Sequence, residues 1–277
     1  MVRGGFRLTS DELYQFRDRG FLVLRRVLNP AGCARAVDRM WSCMPPGFRR
    51  DSPFSWRGLL TDCEGTLSLR RRQGHFQVRD ESWFGEEWQR LLPANPIVFA
   101  VACELLGHGL VDPPERIRGL YPVFPTWSLL GPRPQGHLDR GIFQLGALAY
   151  LDDVKAGGGG LVVWPGSHKD FHMQFHRHVG DGPRPGIPAA LQAWSALPGV
   201  EITGQAGDVI FYHHRLLHAS GRNRRLSVRQ AMLAEFALRG IRGTLEEPPP
   251  RDLWWYWPGL RERVADLEVP AARRALA

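Results

Sequence analysis

The apolar positions along the chain change their rhythm near residue 115. Before it, polar and apolar residues recur at helical spacing; after it, short apolar runs alternate with Gly and Pro turns. In the first part, Ser10 is the expected N-cap of a helix whose first turn carries Asp11 and Glu12. Gly20 then leads into Phe21-Leu22-Val23-Leu24, a short strand. Asn29-Pro30 opens a second helix running to about Met44, and Pro45-Pro46-Gly47 stops it. Residues 47–95 are polar, aromatic and broken by Gly and Pro, so loops and short helices are expected there. Pro96 to Leu106 reads as a helix ended by Gly107.

The later runs are Ile117–Phe124, Phe143–Leu151, Gly160–Trp164, Val200–Thr203, Val209–Tyr212 and Leu226–Phe236. Short strands with such turns predict a sandwich or jelly roll. The Gly/Pro-rich stretch 180–188 interrupts them. No linker separates the two parts. The expectation is one α+β domain over 1–277: a helix-and-strand part about 8–110, a β core about 115–240, and a tail 241–277. The tail starts Glu-Glu-Pro-Pro-Pro and carries Trp254-Trp255-Tyr256-Trp257, which fits a cover over the open end of the sheet, a substrate lid or a dimer contact.

Composition narrows the class. With 277 residues, 43% hydrophobic and 23% charged, the chain can bury a core without disulfide or metal. No apolar run approaches the ~20 residues of a membrane span, and the N-terminus shows no signal core. A cytoplasmic protein with no membrane partner is expected. Cys33, Cys43, Cys63 and Cys103 form no CxxC pair and read as incidental thiols. The net charge is +8, yet only Lys155 and Lys169 are lysines among 36 cations, a skew that GC-rich coding produces. The arginines are scattered apart from Arg70-Arg71-Arg72, so no nucleic-acid partner is expected.

Three segments carry candidate chemistry. In His137-Leu138-Asp139, residues i and i+2 of a strand share a face and can hold one metal together. A third ligand from Asp208–His218, where His213, His214 and His218 compete, would complete two histidines and a carboxylate. That set is the facial triad of non-haem Fe(II) oxygenases, with zinc as the competing metal. Arg229, on a strand face with Ser227, would need an anionic partner inside a barrel, and its planar fork suits a carboxylate.

The order His137-x-Asp139, Gly160-Leu161-Val162-Val163-Trp164-Pro165-Gly166-Ser167-His168-Lys169, Gly207-Asp208, His218-Ala219-Ser220-Gly221-Arg222-Asn223 and Arg229 resembles the phytanoyl-CoA dioxygenase family. Residues 18–24 look like that family's usual opening, and the likeness covers 8–45 and 115–236. It implies a double-stranded β-helix, a cupin-like jelly roll with flanking helices. It implies an Fe(II)- and 2-oxoglutarate-dependent oxygenase consuming O₂ and releasing succinate and CO₂. By the same resemblance His137, Asp139 and His218 hold iron, Arg229 and Ser220 bind the far carboxylate of 2-oxoglutarate, and Tyr150 lines that site. An aspartate at 139, where related halogenases have a small residue, argues for hydroxylation of an aliphatic C–H, or for desaturation, epoxidation or ring rearrangement. Trp127, Arg133, Gln135 and Arg140 flank the metal motif and are the candidate substrate contacts.

His168 reads as part of a structural turn. His172, His176 and His178 read as a solvated strip, and Asp152 and Asp153 as partners of the Gly157–Gly160 turn. Ten tryptophans weakly favour a bulky apolar substrate, with a natural-product intermediate the expected class. The competing readings are a cupin-like metalloenzyme that does not use 2-oxoglutarate, and an inactive small-molecule-binding relative. Nothing in the sequence sets the oligomeric state.

Overall fold

The structure is a computed structural model that describes residues 6–44, 46–56, 85–125, 136–139, 141–174, 187–245 and 247–273. Helix α1 spans Ser10–Arg19, and its N-cap is Thr9, one residue earlier than expected. Thr9 wins because Glu12 stands three residues on. The Thr9 hydroxyl accepts from the Glu12 amide while the Glu12 carboxylate accepts from the Thr9 amide, a reciprocal capping box. Gly20 ends α1 at φ 80°, and a Cβ there would meet the His168 ring at 2.5 Å. Only glycine satisfies both conditions.

Strand β1 (Phe21–Leu24) follows, then α2 (Pro30–Ser42), capped by Asn29. A 3-10 turn at Pro53–Trp56 and a short helix α3 (Glu86–Leu91) are the described elements of the irregular stretch. Helix α4 spans Pro96–Leu106 as expected. The strands are β2 (Gly119–Leu120), β3 (Leu145–Tyr150), β4 (Leu161–Val163), β5 (Val200–Ile202), β6 (Val209–His213), β7 (His218–Ser220) and β8 (Ala231–Phe236). Most are shorter than the apolar runs containing them. Helix α5 (His168–Phe171) and α6 (Ile187–Ala196) lie between β4 and β5. The tail holds a helix that the sequence reading missed, α7 (Pro258–Arg273). Its signal was present: Pro258 at the first turn and apolar positions at 257, 260 and 264.

The strands form two antiparallel sheets, ordered β1-β6-β3-β8-β2 and β5-β4-β7. Strand alternation sorts the side chains into layers. Ala147, Ala149, Val209 and Phe211 point outward into the core formed with α1, α2 and α4. Leu148, Tyr150, Ile210, Tyr212 and Leu233 point inward and meet Leu161, Val163 and Ile202 of the smaller sheet. That sheet's outer face, with Val162, Trp164, Leu217 and Ala219, packs on Ala190, Leu191 and Trp194 of α6.

Trp257 is buried between Phe16 of α1 and His213, stacking on the histidine ring at 4.8 Å. The aromatic tail therefore covers the outer face of the larger sheet. The described tryptophans have packing partners. Trp41 and Trp56 surround Phe124, Trp88 lies in the helical core, Trp164 lies under α6, and Trp254 contacts His168 and His213.

Candidate metal centre

His218 and Ser220 of β7 point into the space between the sheets, because Leu217 and Ala219 are spent on the outer layer. The segment before β3 is tied to β7 by backbone bonds in both directions between His137 and His218. Leu138 packs outward with Leu217, leaving His137 and Asp139 facing His218. One ligand atom from each of the three lies within 4.8 Å of the others. Among the described residues this is the group of three or more His, Cys, Asp or Glu that can hold a metal.

Neighbouring residues set the orientation of each ligand. The His218 Nδ1–H donates to the Leu216 carbonyl at 2.9 Å, which turns Nε2 toward Asp139, 3.5 Å away. The Asp139 carboxylate receives a bond from the Tyr212 hydroxyl at 3.2 Å and lies 3.6 Å from Arg118. Its backbone carbonyl accepts from Arg215 at 3.0 Å. Burial opposes charge on Asp139, but His218, Arg118, His137 and Tyr212 outweigh it and hold its pKa below the ordinary carboxylate range. His137 is lowered to about 4, first by desolvation among the dense site atoms and then by His218, although part of its surface stays open to solvent. Both shifts favour the protonation states that bind a cation: a neutral imidazole and a carboxylate.

Arg229 is buried beyond Ser220. Its Nε–H donates to Gly159 O at 2.8 Å, Nη1 to Tyr121 O at 2.8 Å, and Nη2 to Ser220 Oγ at 3.2 Å. Three of its five donors are thus used, and no described carboxylate forms a salt bridge with it. Desolvation lowers its pKa to about 10, which leaves it charged at neutral pH. A buried guanidinium with no described carboxylate in salt-bridge contact, and Glu201 acting on it only at longer range, is a seat for an anion. Ser220 places that seat one strand pair-step from His218, on the same face of β7.

Residues 129–231 match the phytanoyl-CoA dioxygenase (PhyH) family. The PhyH-matching segment contains all three metal-facing residues, Ser220 and Arg229. No curated protein sequence matches the chain. Among solved structures, the chain is similar to the non-haem α-ketoglutarate-dependent carbocyclase SnoK from nogalamycin biosynthesis. The TM-score is 0.54 at 18% identity, covering 90% of this chain and 98% of that one. It is similar to the epimerase SnoN of the same biosynthesis, at 0.53 and 20%, covering 87% and 90%. It is also similar to HygX from Streptomyces hygroscopicus, solved with nickel, 2-oxoglutarate and hygromycin B, at 0.52 and 18%, covering 84% and 88%. These likenesses establish the fold as the cupin-like jelly roll of PhyH-type proteins, α+β as expected.

The other motif residues have structural duties in this PhyH-type fold. His213 lies on the outer face of β6, where its Nδ1 accepts from the Arg215 amide and its ring stacks on Trp257. His214 donates to the Gln144 carbonyl. Neither points to the metal side. His168 is fully buried; its Nε2–H donates to Arg17 O at 3.1 Å, binding α1 to the turn after β4. Asn223 bridges the Val123 and Ser227 carbonyls. Asp208 accepts from Arg25, the Arg26 amide and the Gln205 amide, locking the exit of β1 onto β6.

One sequence expectation is corrected. The glycine turn is held by Glu201, whose carboxylate accepts from the Gly157 and Gly160 amides. Asp152 and Asp153 bond the Asp153 and Ala206 amides instead. Tyr150 lies beside Arg229, but its hydroxyl donates to Ile202 O at 2.7 Å and accepts from Leu161 N at 2.9 Å. It braces β4 against β5 rather than offering that hydroxyl to a ligand. Trp127, Arg133, Gln135 and Arg140, with His176 and His178, fall outside the described residues. Sequence reasoning missed Arg118, Tyr212 and Glu235; the usable signal was that Tyr212 shares the inward phase of β6 with Ile210.

Proposed function

We propose that the protein is an Fe(II)- and 2-oxoglutarate-dependent oxygenase that oxidises an aliphatic C–H of a small organic molecule, as a tailoring step in natural-product biosynthesis. The observation carrying this reading is the three-ligand cluster with Arg229, which has no described carboxylate in salt-bridge contact, beside it on the same inner face. Two imidazoles and one carboxylate are the donor set suited to Fe(II), and they leave positions open for other ligands. Arg229 supplies what a metal site alone would not need, a second anchor for an anion. Bound iron with 2-oxoglutarate and O₂ supplies the oxidising power for an unactivated C–H bond; the protein supplies position.

In this reading His137, Asp139 and His218 hold the metal. Arg229 and Ser220 orient the far carboxylate of 2-oxoglutarate, and Tyr121 and Gly159 aim the guanidinium through their carbonyls. Tyr150 keeps that wall rigid. Asp139 occupies the place of a third protein ligand, which favours hydroxylation over halogenation. The solved relatives with the same fold include a carbocyclase and an epimerase of one antibiotic pathway and a protein holding hygromycin B. They support a natural-product substrate and leave hydroxylation and rearrangement chemistry equally reachable by this scaffold.

The test is anaerobic titration of the apo-protein with Fe(II) and then 2-oxoglutarate, followed by visible absorption. The chelate's charge-transfer band should appear with the wild type and vanish in His218→Ala and Arg229→Ala. Iron binding without the band would favour a cupin-like enzyme independent of 2-oxoglutarate. Binding of neither would favour a small-molecule-binding relative without catalysis.

A further inference from the structure

We infer that Tyr212 is a positioning residue for the Asp139 carboxylate, installed by Gly146 on the paired strand and opposed by an Arg118–Glu235 ion pair. The inference rests on the metal reading of His137, Asp139 and His218.

Tyr212 and Gly146 are register partners on β6 and β3. A Cβ on Gly146 would meet the Tyr212 ring at 2.2 Å, so the absent side chain is what lets the ring lie over β3. Laid there, the phenol is buried and its hydroxyl reaches Asp139 Oδ2 at 3.2 Å. That same oxygen lies 3.5 Å from His218 Nε2, so Oδ2 faces the ligand cluster. The other oxygen, Oδ1, lies 3.6 Å from Arg118 Nη1. Arg118 is in turn ion-paired with Glu235, which shares the inward phase of β8 with Leu233. A carboxylate that rotated would lose both partners. The two contacts therefore hold one oxygen toward the metal and the other away from it, as ligand carboxylates require. Arg118 and Glu235 lie outside residues 129–231, so this support comes from the flanking strands rather than from the family-matching segment.

The experiment titrates full-length apo-protein with Co(II), reading the dissociation constant and the visible ligand-field spectrum. Tyr212→Phe keeps the ring and removes the hydroxyl. It should weaken Co(II) by about 10- to 100-fold and change the spectrum. Gly146→Ala keeps the hydroxyl but displaces the ring, and should produce the same loss. In an Asp139→Ala background, Tyr212→Phe should add no further loss, because its effect runs through that carboxylate. Unchanged Co(II) affinity in both single variants overturns the inference. So does an equal loss with and without Asp139. If the wild type binds no Co(II), or His218→Ala binds it as tightly, the metal reading falls as well, and the two failures are told apart by that control.

Discussion

At the scale of the residue, burial decides which charges are functional. Arg229 is a cation in a closed space, held by two carbonyls and a hydroxyl, with no described carboxylate in salt-bridge contact. Arg229→Ala should raise the 2-oxoglutarate requirement about a hundredfold, the ~3 kcal/mol of a truncated buried charge contact, while leaving metal affinity near wild type. Cosubstrate titration monitored by succinate release checks it. Asp139→Ala should abolish 2-oxoglutarate-dependent turnover, and full retained turnover would remove Asp139 from the ligand set. His168 shows the structural side of the same physics. Burial lowers its pKa to about 4, with its Nε2–H spent on Arg17 O and its Nδ1 without a partner. Because the folded pKa lies below the free value, the neutral form is favoured in the native state. That stability is present in full above about pH 6.5 and is lost as pH falls toward 4, by about 3 kcal/mol. Denaturant midpoints between pH 7 and pH 4 should fall, and His168→Gln should flatten that slope.

At the scale of the element, the outer face of the larger sheet needs a cover, and α7 supplies it. Trp257 stacks on His213 and meets Phe16, while Gly259 lets α7 approach α4, where a Cβ would lie 2.5 Å from the Glu104 carbonyl. Trp257→Ala should cost about 3–5 kcal/mol, as for other buried aromatic truncations. A chemical melt checks it, with the Co(II) site expected intact, since Trp257 and the ligands are on opposite faces of β6. The strand alternation that separates them was readable in Val209–His213, and so was the inward phase of Tyr212. The partner of that phenol was not readable, because Asp139 is 73 residues away in sequence.

At the scale of the whole molecule, two sheets and three separate segments are needed to close one site. Metal and 2-oxoglutarate together should therefore stabilise the fold itself. At ligand concentrations a hundredfold above each dissociation constant, each contributes about 2.7 kcal/mol. For a chain of this size that is roughly 5–10 °C in Tm for each ligand. Thermal scans with Mn(II), then Mn(II) plus 2-oxoglutarate, should show two steps, and Arg229→Ala should show only the first.

What the sequence determined by itself is what depends on near neighbours. The helix α4, β1 and the strand-rich second half follow from periodicity and glycine turns, the His137–Asp139 pair and the inward Arg229 from strand spacing, and His218 and Ser220 from the resemblance of their motif to a known family. What tertiary structure decided are the matters of long range: which histidine of 213, 214 and 218 faces inward, Glu201 rather than Asp152 or Asp153 on the glycine turn, the committed hydroxyl of Tyr150, and the hold of Tyr212 and Arg118 on Asp139. The reason is physical. A hydrogen bond across the sheets depends on register between strands far apart in the chain, and local pattern carries no record of which strands pair.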